Sequence, residues 1–227
     1  MRTSTFQKKV KDFFSERKFN AEGCPDVNIF RYLGNFGFNY KDSNVLDIGF
    51  GNFENLNFLK KKKCKIYGVE INKALVEKYK KKYNINSKNL KRIDLNEKFP
   101  NFGNVKFDLI ISIDVIYYLA NNRIIELLKF INTILNTNGI FIFQFVQANF
   151  NYNYKGYFNF NLDKNYKKTN FLDKDNPIRY LQEQFLLKTI NLSGLKLENS
   201  FFSTSNHFLK KKKRVLRINR YLILKKK

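Results

Sequence analysis

VLDIGFGNFE, residues 45–54, is the stretch on which the fold turns. An apolar run broken only by Asp47 reaches two glycines one residue apart, Gly49 and Gly51. It then continues as Asn52-Phe53, where a dinucleotide-type loop would hold a third glycine. A strand that runs straight into glycines ends in a tight turn, with backbone N–H groups bared toward whatever lies beyond its tip. In open parallel sheets ligands bind outside that carboxyl end. A third glycine serves close helix packing beside a pyrophosphate, so Phe53 suits a ligand without one and leaves open how closely the helix that follows packs.

Outward from this stretch, strand and helix patterns alternate. NVLDIG reads as a strand, NFENLNFLKKK as a helix, KIYGVEI as a strand, and NKALVEKYKKKY as a helix with Leu75, Tyr79 and Tyr83 in line. LKRID is a short third strand, and FDLIISID is the near-continuous apolar run of a strand covered on both faces. Ile124, Leu127, Leu128, Ile131 and Leu135 trace one stripe of a helix whose exit is Asn138-Gly139, and GIFIFQFV supplies the fifth strand. LKLENSFF and INRYLILKK are the last two, an antiparallel edge pair joined by the basic HFLKKKKRV. The order predicts an α/β fold: a Rossmann-like, seven-stranded, mostly parallel sheet with helices on both faces and an antiparallel C-terminal strand pair.

Residues 1–40 read as an N-terminal helical cap. Phe6, Val10, Phe13 and Phe14 fall at helical spacing, and after a break at Gly23 and Pro25 an apolar face resumes through Val27, Phe30 and Leu33. Within the domain of residues 41–227, the segment at about 148–176 alternates aromatic and polar residues around Lys155-Gly156. It fits either a hairpin or a low-complexity loop. Asn176-Pro177 then suits the start of a helix with Ile178, Leu181 and Phe185 on its apolar face and Gly194 at its exit.

With 227 residues, 43% hydrophobic and 17% aromatic, the chain has material for one well-filled domain with an appendage. Its formal charge of +24 invites a polyanionic partner. The excess is mainly lysine, alongside abundant Asn, Ile, Phe and Tyr and no Trp, which is what A+T-rich codons favour in any protein. Runs such as Lys60 to Lys63 and Lys80 to Lys82 therefore read first as solvated helix faces, and the tail KKKKRVLRINRYLILKKK is the best site for an acidic partner. No run approaches the apolar length of a membrane span, and MRTSTFQKKVKDFF lacks the pattern of a secretory signal, so a cytoplasmic location is expected. Cys24 and Cys64 have neither the spacing nor the partners of a disulfide framework or a zinc site, and no metal is expected.

Glu70 ends the second strand nineteen residues after Gly51, where a carboxylate can accept hydrogen bonds from both hydroxyls of a ribose. Asp94 ends the third strand. The ordered set VLDIGFG, YGVEIN, RIDL, FDLIISIDVIYYL and NGIFIFQF, closed by SGLKLENSFF and INRYLILKK, resembles the class I methyltransferases that use S-adenosyl-L-methionine.

That resemblance implies the cofactor and its contacts. Asp47 would orient the loop and the methionine amino group. Gly49, Phe50 and Gly51 would bring backbone against the cofactor, Glu70 would hold the ribose, and Ile71 would pack on adenine. Asp94 and Leu95 would read the adenine edge, while Ser112, Ile113 and Asp114 would flank the reactive half. By placement, Asp114, Tyr117, Tyr118 and His207 are the candidates for a catalytic base, and the tyrosine faces also suit a sulfonium. The fourth motif, SIDVIYYL, is not the NPPY type of base and amide amino-methylation. The cap and the insertion at about 148–176 would cover the acceptor. The leading expectation is thus O- or N-methylation of a small polar molecule, such as a sugar of a surface-polysaccharide pathway. An RNA methyltransferase and a noncatalytic cofactor-binding protein are the other readings. The sequence fixes no oligomeric state.

Overall fold

The computed structural model describes residues 23–146, 181, 183–208 and 214–226, with the backbone alone at 183, 204–208 and 214–218. The predicted helix at Phe6 to Phe14, the insertion at about 148–176 and the helix start at Asn176-Pro177 lie outside the described residues.

The described chain runs α1 (Val27–Asn35), β1 (Asn44–Ile48), α2 (Glu54–Lys61), β2 (Lys65–Glu70), α3 (Lys73–Tyr83), β3 (Leu90–Arg92) and β4 (Phe107–Ser112). A 3₁₀ turn (Ile116–Tyr118), α4 (Asn121–Ile134), β5 (Leu135–Val146), α5 (Glu183–Ser193), β6 (Leu195–Phe208) and β7 (Arg214–Lys226) follow. The strands form one sheet in the order β3-β2-β1-β4-β5-β7-β6. Pairings are parallel from β3 to β5 and antiparallel from β5 through β7 to β6. The chain leaves β1 toward β2 and β3, then returns to lay β4 on the other side of β1. That reversal is the switch point at which open sheets leave a crevice.

Alternation of side chains through the sheet builds two cores. Leu46, Ile48 and Ile110 pack on one face with Leu127, Leu128 and Ile131 of α4 and Leu186 and Ile190 of α5. Val45, Leu109 and Ile111 pack on the other with Ile29 and Leu33 of α1, Leu56 and Leu59 of α2, and Leu75 and Val76 of α3. Asp26 starts α1 by accepting hydrogen bonds from the N–H groups of Asn28 and Ile29. This sets the inward stripe on Ile29 and Leu33, so Val27, expected on the apolar face, is 54% exposed.

Phe53 resolves the missing glycine. It precedes α2 at φ 72°, the left-handed conformation a glycine would adopt freely. Its buried ring stacks on Tyr79 and Tyr83 of α3, with centroids 4.9 Å away in both cases, and meets Phe50 edge-on at 5.5 Å. Left-handed backbone costs an L-residue roughly 1–2 kcal/mol. Burying a phenylalanine side chain returns about 1.5–3 kcal/mol. An aromatic plug between α2 and α3 therefore replaces close backbone contact.

Two boundaries differ from the sequence reading. The helix expected to reach Asn138-Gly139 ends at Ile134, and β5 starts at once with Leu135 opposite Phe107. The register then shifts between Phe107 and Leu109, and a Cβ at Gly139 would lie 2.7 Å from the Phe107 carbonyl oxygen. The glycine is thus spent on a strand irregularity, a use that matches a helix exit in sequence. Likewise β6 and β7 run further than predicted, so His207 lies inside β6 opposite Val215 rather than in a connection. No helix among the described residues is long and apolar enough to cross a membrane.

Candidate active site

β1 and β2 end side by side, with Asp47 opposite Gly68 and Ile48 opposite Val69. The loop after β1 is pinned to β2, since the N–H groups of Gly49 and Phe50 donate to the Val69 carbonyl at 2.8 and 3.3 Å. Glu70 closes the same corner. Its Oε2 accepts from the Gly51 N–H at 3.1 Å and its Oε1 from the Asn72 N–H at 3.0 Å. Burial pushes the Glu70 carboxyl upward, while the N–H groups of Asn72, Gly51 and Ile71 hold it down. Asn72 in turn caps α3 through the Leu75 N–H.

Asp47 is the more exposed to electrostatic cost, although only 1% of it is open to solvent. Burial first, then the Glu70 charge, push its carboxyl up to about 8, against a hydrogen bond from Asn55 that lowers it. Its Oδ2 is buried with no hydrogen-bond partner among the described residues. Such an atom asks for a cation or a donor. The two glycines play different parts. A Cβ on Gly49 would meet Val115 Cγ2 at 2.3 Å, so the bare side of Gly49 accommodates the chain's own loop. Among the described residues, a Cβ on Gly51 would meet only the Gly49 carbonyl oxygen, at 4.0 Å, so they leave the space over Gly51 open.

The other expected residues are placed as follows. Phe50 is buried against Phe53 and Tyr79, so only its backbone borders the crevice. Ile71 follows Glu70, half-buried. Asp94 lies two residues past β3 rather than at its end, and its Oδ1 accepts from the Asn96 N–H at 2.9 Å. An acid that follows a strand as short as β3 is held by its own turn rather than by the ladder. Leu95 is buried, and its carbonyl accepts from Arg123 of α4 at 2.9 and 2.6 Å, which fixes this loop to α4. Ser112, at the end of β4, is fully buried and its Oγ has no hydrogen-bond partner among the described residues. Ile113 is half-buried beyond it.

Asp114 sits next at φ 56° and is held from two sides. Gln144 of β5 accepts its N–H at 3.0 Å, and Tyr117 donates its hydroxyl to the carboxylate at 2.7 Å. Gln144 is anchored in turn, its Nε2 donating to Asn219 Oδ1 of β7 at 2.8 Å. Tyr117 is buried, with its ring 4.5 Å from that of Tyr118, so it orients Asp114 from the core side. The side chain of His207 lies outside those described. Asp47, Glu70 and Gly51 are thus brought together, Asp114 and Tyr117 form a second group beyond β4, and Asp94 is engaged with its own turn.

A family model for a methyltransferase domain matches residues 17–198. The chain belongs to this methyltransferase family. Solved structures agree on the fold. That of magnesium protoporphyrin IX methyltransferase from Synechocystis, with bound S-adenosylmethionine, superposes with a TM-score of 0.65 at 13% identity over 100% of both chains. A methyltransferase described as S-adenosylmethionine-dependent, from Clostridium acetobutylicum, gives 0.59 at 17% identity over 97% of this chain and 92% of its own. The CcbJ methyltransferase of Streptomyces caelestis gives 0.58 at 14% identity over 98% of each. No curated protein sequence matches this chain.

The chain is a methyltransferase by family, and its fold is that of an enzyme solved with bound S-adenosylmethionine. The corner of β1 and β2 fits that molecule: the unpartnered Asp47 Oδ2 suits a cationic group, and the open space over Gly51 admits it. Asp26, Asn55 and Gln144 escaped sequence reading, because a lone Asp, Asn or Gln carries no spacing signal. Only the Asp26 position, a helix-cap residue ahead of an apolar face, was open to it.

Asp47 gives this methyltransferase a pH signature. With the cofactor absent, its folded value of about 8 lies above the 3.8 of an unperturbed aspartate. The stability it contributes is complete below the lower value. It is lost as pH rises through the window up to about 8, because only the unfolded chain ionises freely there. Thermal melts of the cofactor-free protein between those limits should therefore fall more steeply with pH than melts of Asp47→Asn. Parallel curves would refute the assignment.

Proposed function

We propose that the enzyme transfers the methyl group to an oxygen or nitrogen of a small polar acceptor, a sugar of a surface-polysaccharide pathway being the class its sequence favours. The observation that carries this reading is Asp114, an acid held in left-handed backbone past the tip of β4 by Gln144 and Tyr117. Strain of this kind is kept where a side chain must be aimed. Asp114 would take the proton of the acceptor O–H or N–H, and Tyr117 would hold its carboxylate in place. Tyr118 and Ile113 would flank the transfer, and His207 is the alternative base.

S-adenosylmethionine supplies a methyl group already activated on a sulfonium. The chain's own tasks are to align the acceptor and to exclude water. Asp47 would hold the cofactor's amino group and Glu70 its ribose. Gly49, Phe50 and Gly51 would offer backbone, Ile71, Asp94 and Leu95 would meet adenine, and Ser112 would border the reactive half. The magnesium protoporphyrin IX methyltransferase, whose named substrate is a small molecule, supports a compact acceptor.

A second reading, RNA methylation, draws on the charge of +24 and on exposed lysines such as Lys60 to Lys63 at the end of α2. Incubation with a methyl-labelled cofactor and a fractionated cell extract separates the two. Label is expected in the low-mass fraction and insensitive to ribonuclease. Label in RNA, with RNA affinity falling steeply as salt is added, would establish the second reading instead.

A further inference from the structure

The segment before α1 is stitched across the start of α2. Gly23 donates its N–H to Glu54 Oε1 at 2.9 Å, and Asp26 donates its N–H to Asn55 Oδ1 at 2.9 Å. Asp26 is also fixed from the sheet, because Tyr221 of β7 donates its hydroxyl to Asp26 Oδ2 at 2.9 Å while Asp26 Oδ1 caps α1. Burial and the Asp26 charge push the Tyr221 hydroxyl up to about 12, so it remains a donor. Asn55 stands at the join. Its oxygen is taken by Asp26, and its side chain hydrogen-bonds to Asp47, whose second oxygen is buried without a partner.

We propose that Asn55 is the residue that positions Asp47 for the cofactor and ties the occupancy of that site to the docking of α1. The inference rests on Asp47 being a cofactor contact. An amide with both ends used cannot turn without breaking a bond at one of them. A ligand that engages the free oxygen of Asp47 fixes the carboxylate, then Asn55, then the N–H of Asp26 and the start of α1. The charged groups bearing on Asp47 are Glu70 from β2 and Glu54 from the first turn of α2, both negative. On the α1 side, the Asp26 carboxylate is engaged by its own helix and by Tyr221.

The test uses the full chain and S-adenosylhomocysteine, with amide exchange of α1 read beside calorimetric affinity across pH. In the parent, the ligand should slow exchange in α1. In Asn55→Ala that slowing should vanish and affinity should fall by about tenfold, as expected for loss of one hydrogen bond to a charged group. Without the amide donor, Asp47 ionises at higher pH, so the pH at which binding is half developed should move up. Asn55→Asp, equal in size, keeps an acceptor for Asp26 and removes the donor to Asp47. It should show the same upward move, and it keeps the test open if the alanine variant folds poorly. A binding midpoint unmoved in both variants, or α1 exchange that still responds to ligand in Asn55→Ala, overturns the coupling. A parent that binds no S-adenosylhomocysteine overturns the Asp47 assignment itself.

Discussion

Phe53→Ala should lower the stability of the protein by about 3–5 kcal/mol, the usual cost of emptying a buried phenylalanine site. The ring is the common partner of Phe50, Tyr79 and Tyr83, so its loss opens a space between α2 and α3 that three aromatic rings cannot collapse to fill. A second substitution identifies the backbone contribution. Because φ at this position is 72°, glycine should be more stable than alanine by roughly 1 kcal/mol, the reverse of their order inside a helix. Denaturant titration of the parent and both variants measures the two effects together. An alanine variant as stable as the parent, or glycine below alanine, would refute the account of how this chain dispenses with its third glycine.

Glu70→Ala should weaken S-adenosylhomocysteine binding by about 10- to 100-fold, or roughly 1.4–3 kcal/mol. The acid has two tasks: it accepts the N–H groups of Gly51 and Asn72, and it would hold the ribose of the cofactor. Alanine leaves both N–H groups without their acceptor and loosens the loop that carries Gly51. Glu70→Gln keeps an oxygen and should lose less. It should also lower the pH at which Asp47 ionises, since the Glu70 charge is the second cause of the upward shift there. Calorimetry across pH reads affinity and titration in one series, and unchanged affinity in Glu70→Ala would count against the site.

The parts of this fold that announce themselves in sequence are those made by repetition. The near-continuous apolar run of FDLIISID and the helical stripe of Ile124, Leu127, Leu128 and Ile131 follow from burial on both faces of a sheet strand and on one face of a helix, and both lie where they were expected. Asp47, Glu70 and Gly51 were legible because a strand tip needs each type at a fixed distance. What was hidden depends on single long-range contacts. Nothing near Asn55 hints at Asp26, 29 residues away, or near Gln144 at Asn219, 75 residues away. The end of α4 was misplaced because Gly139 serves the register shift against Phe107, a demand set by another strand. Phe53 ran against its own local preference, and only the rings of α3 explain it.

The contact between Val115 and Gly49 has a mechanical result. One methyl occupies the place of the absent side chain, so the tips of β1 and β4 interlock like teeth of two gears. Neither strand end can swing without pushing the other. An acceptor taken up beside Asp114, as proposed, would therefore press on the turn proposed to hold the donor, and departure of the spent donor would loosen the floor beneath the product.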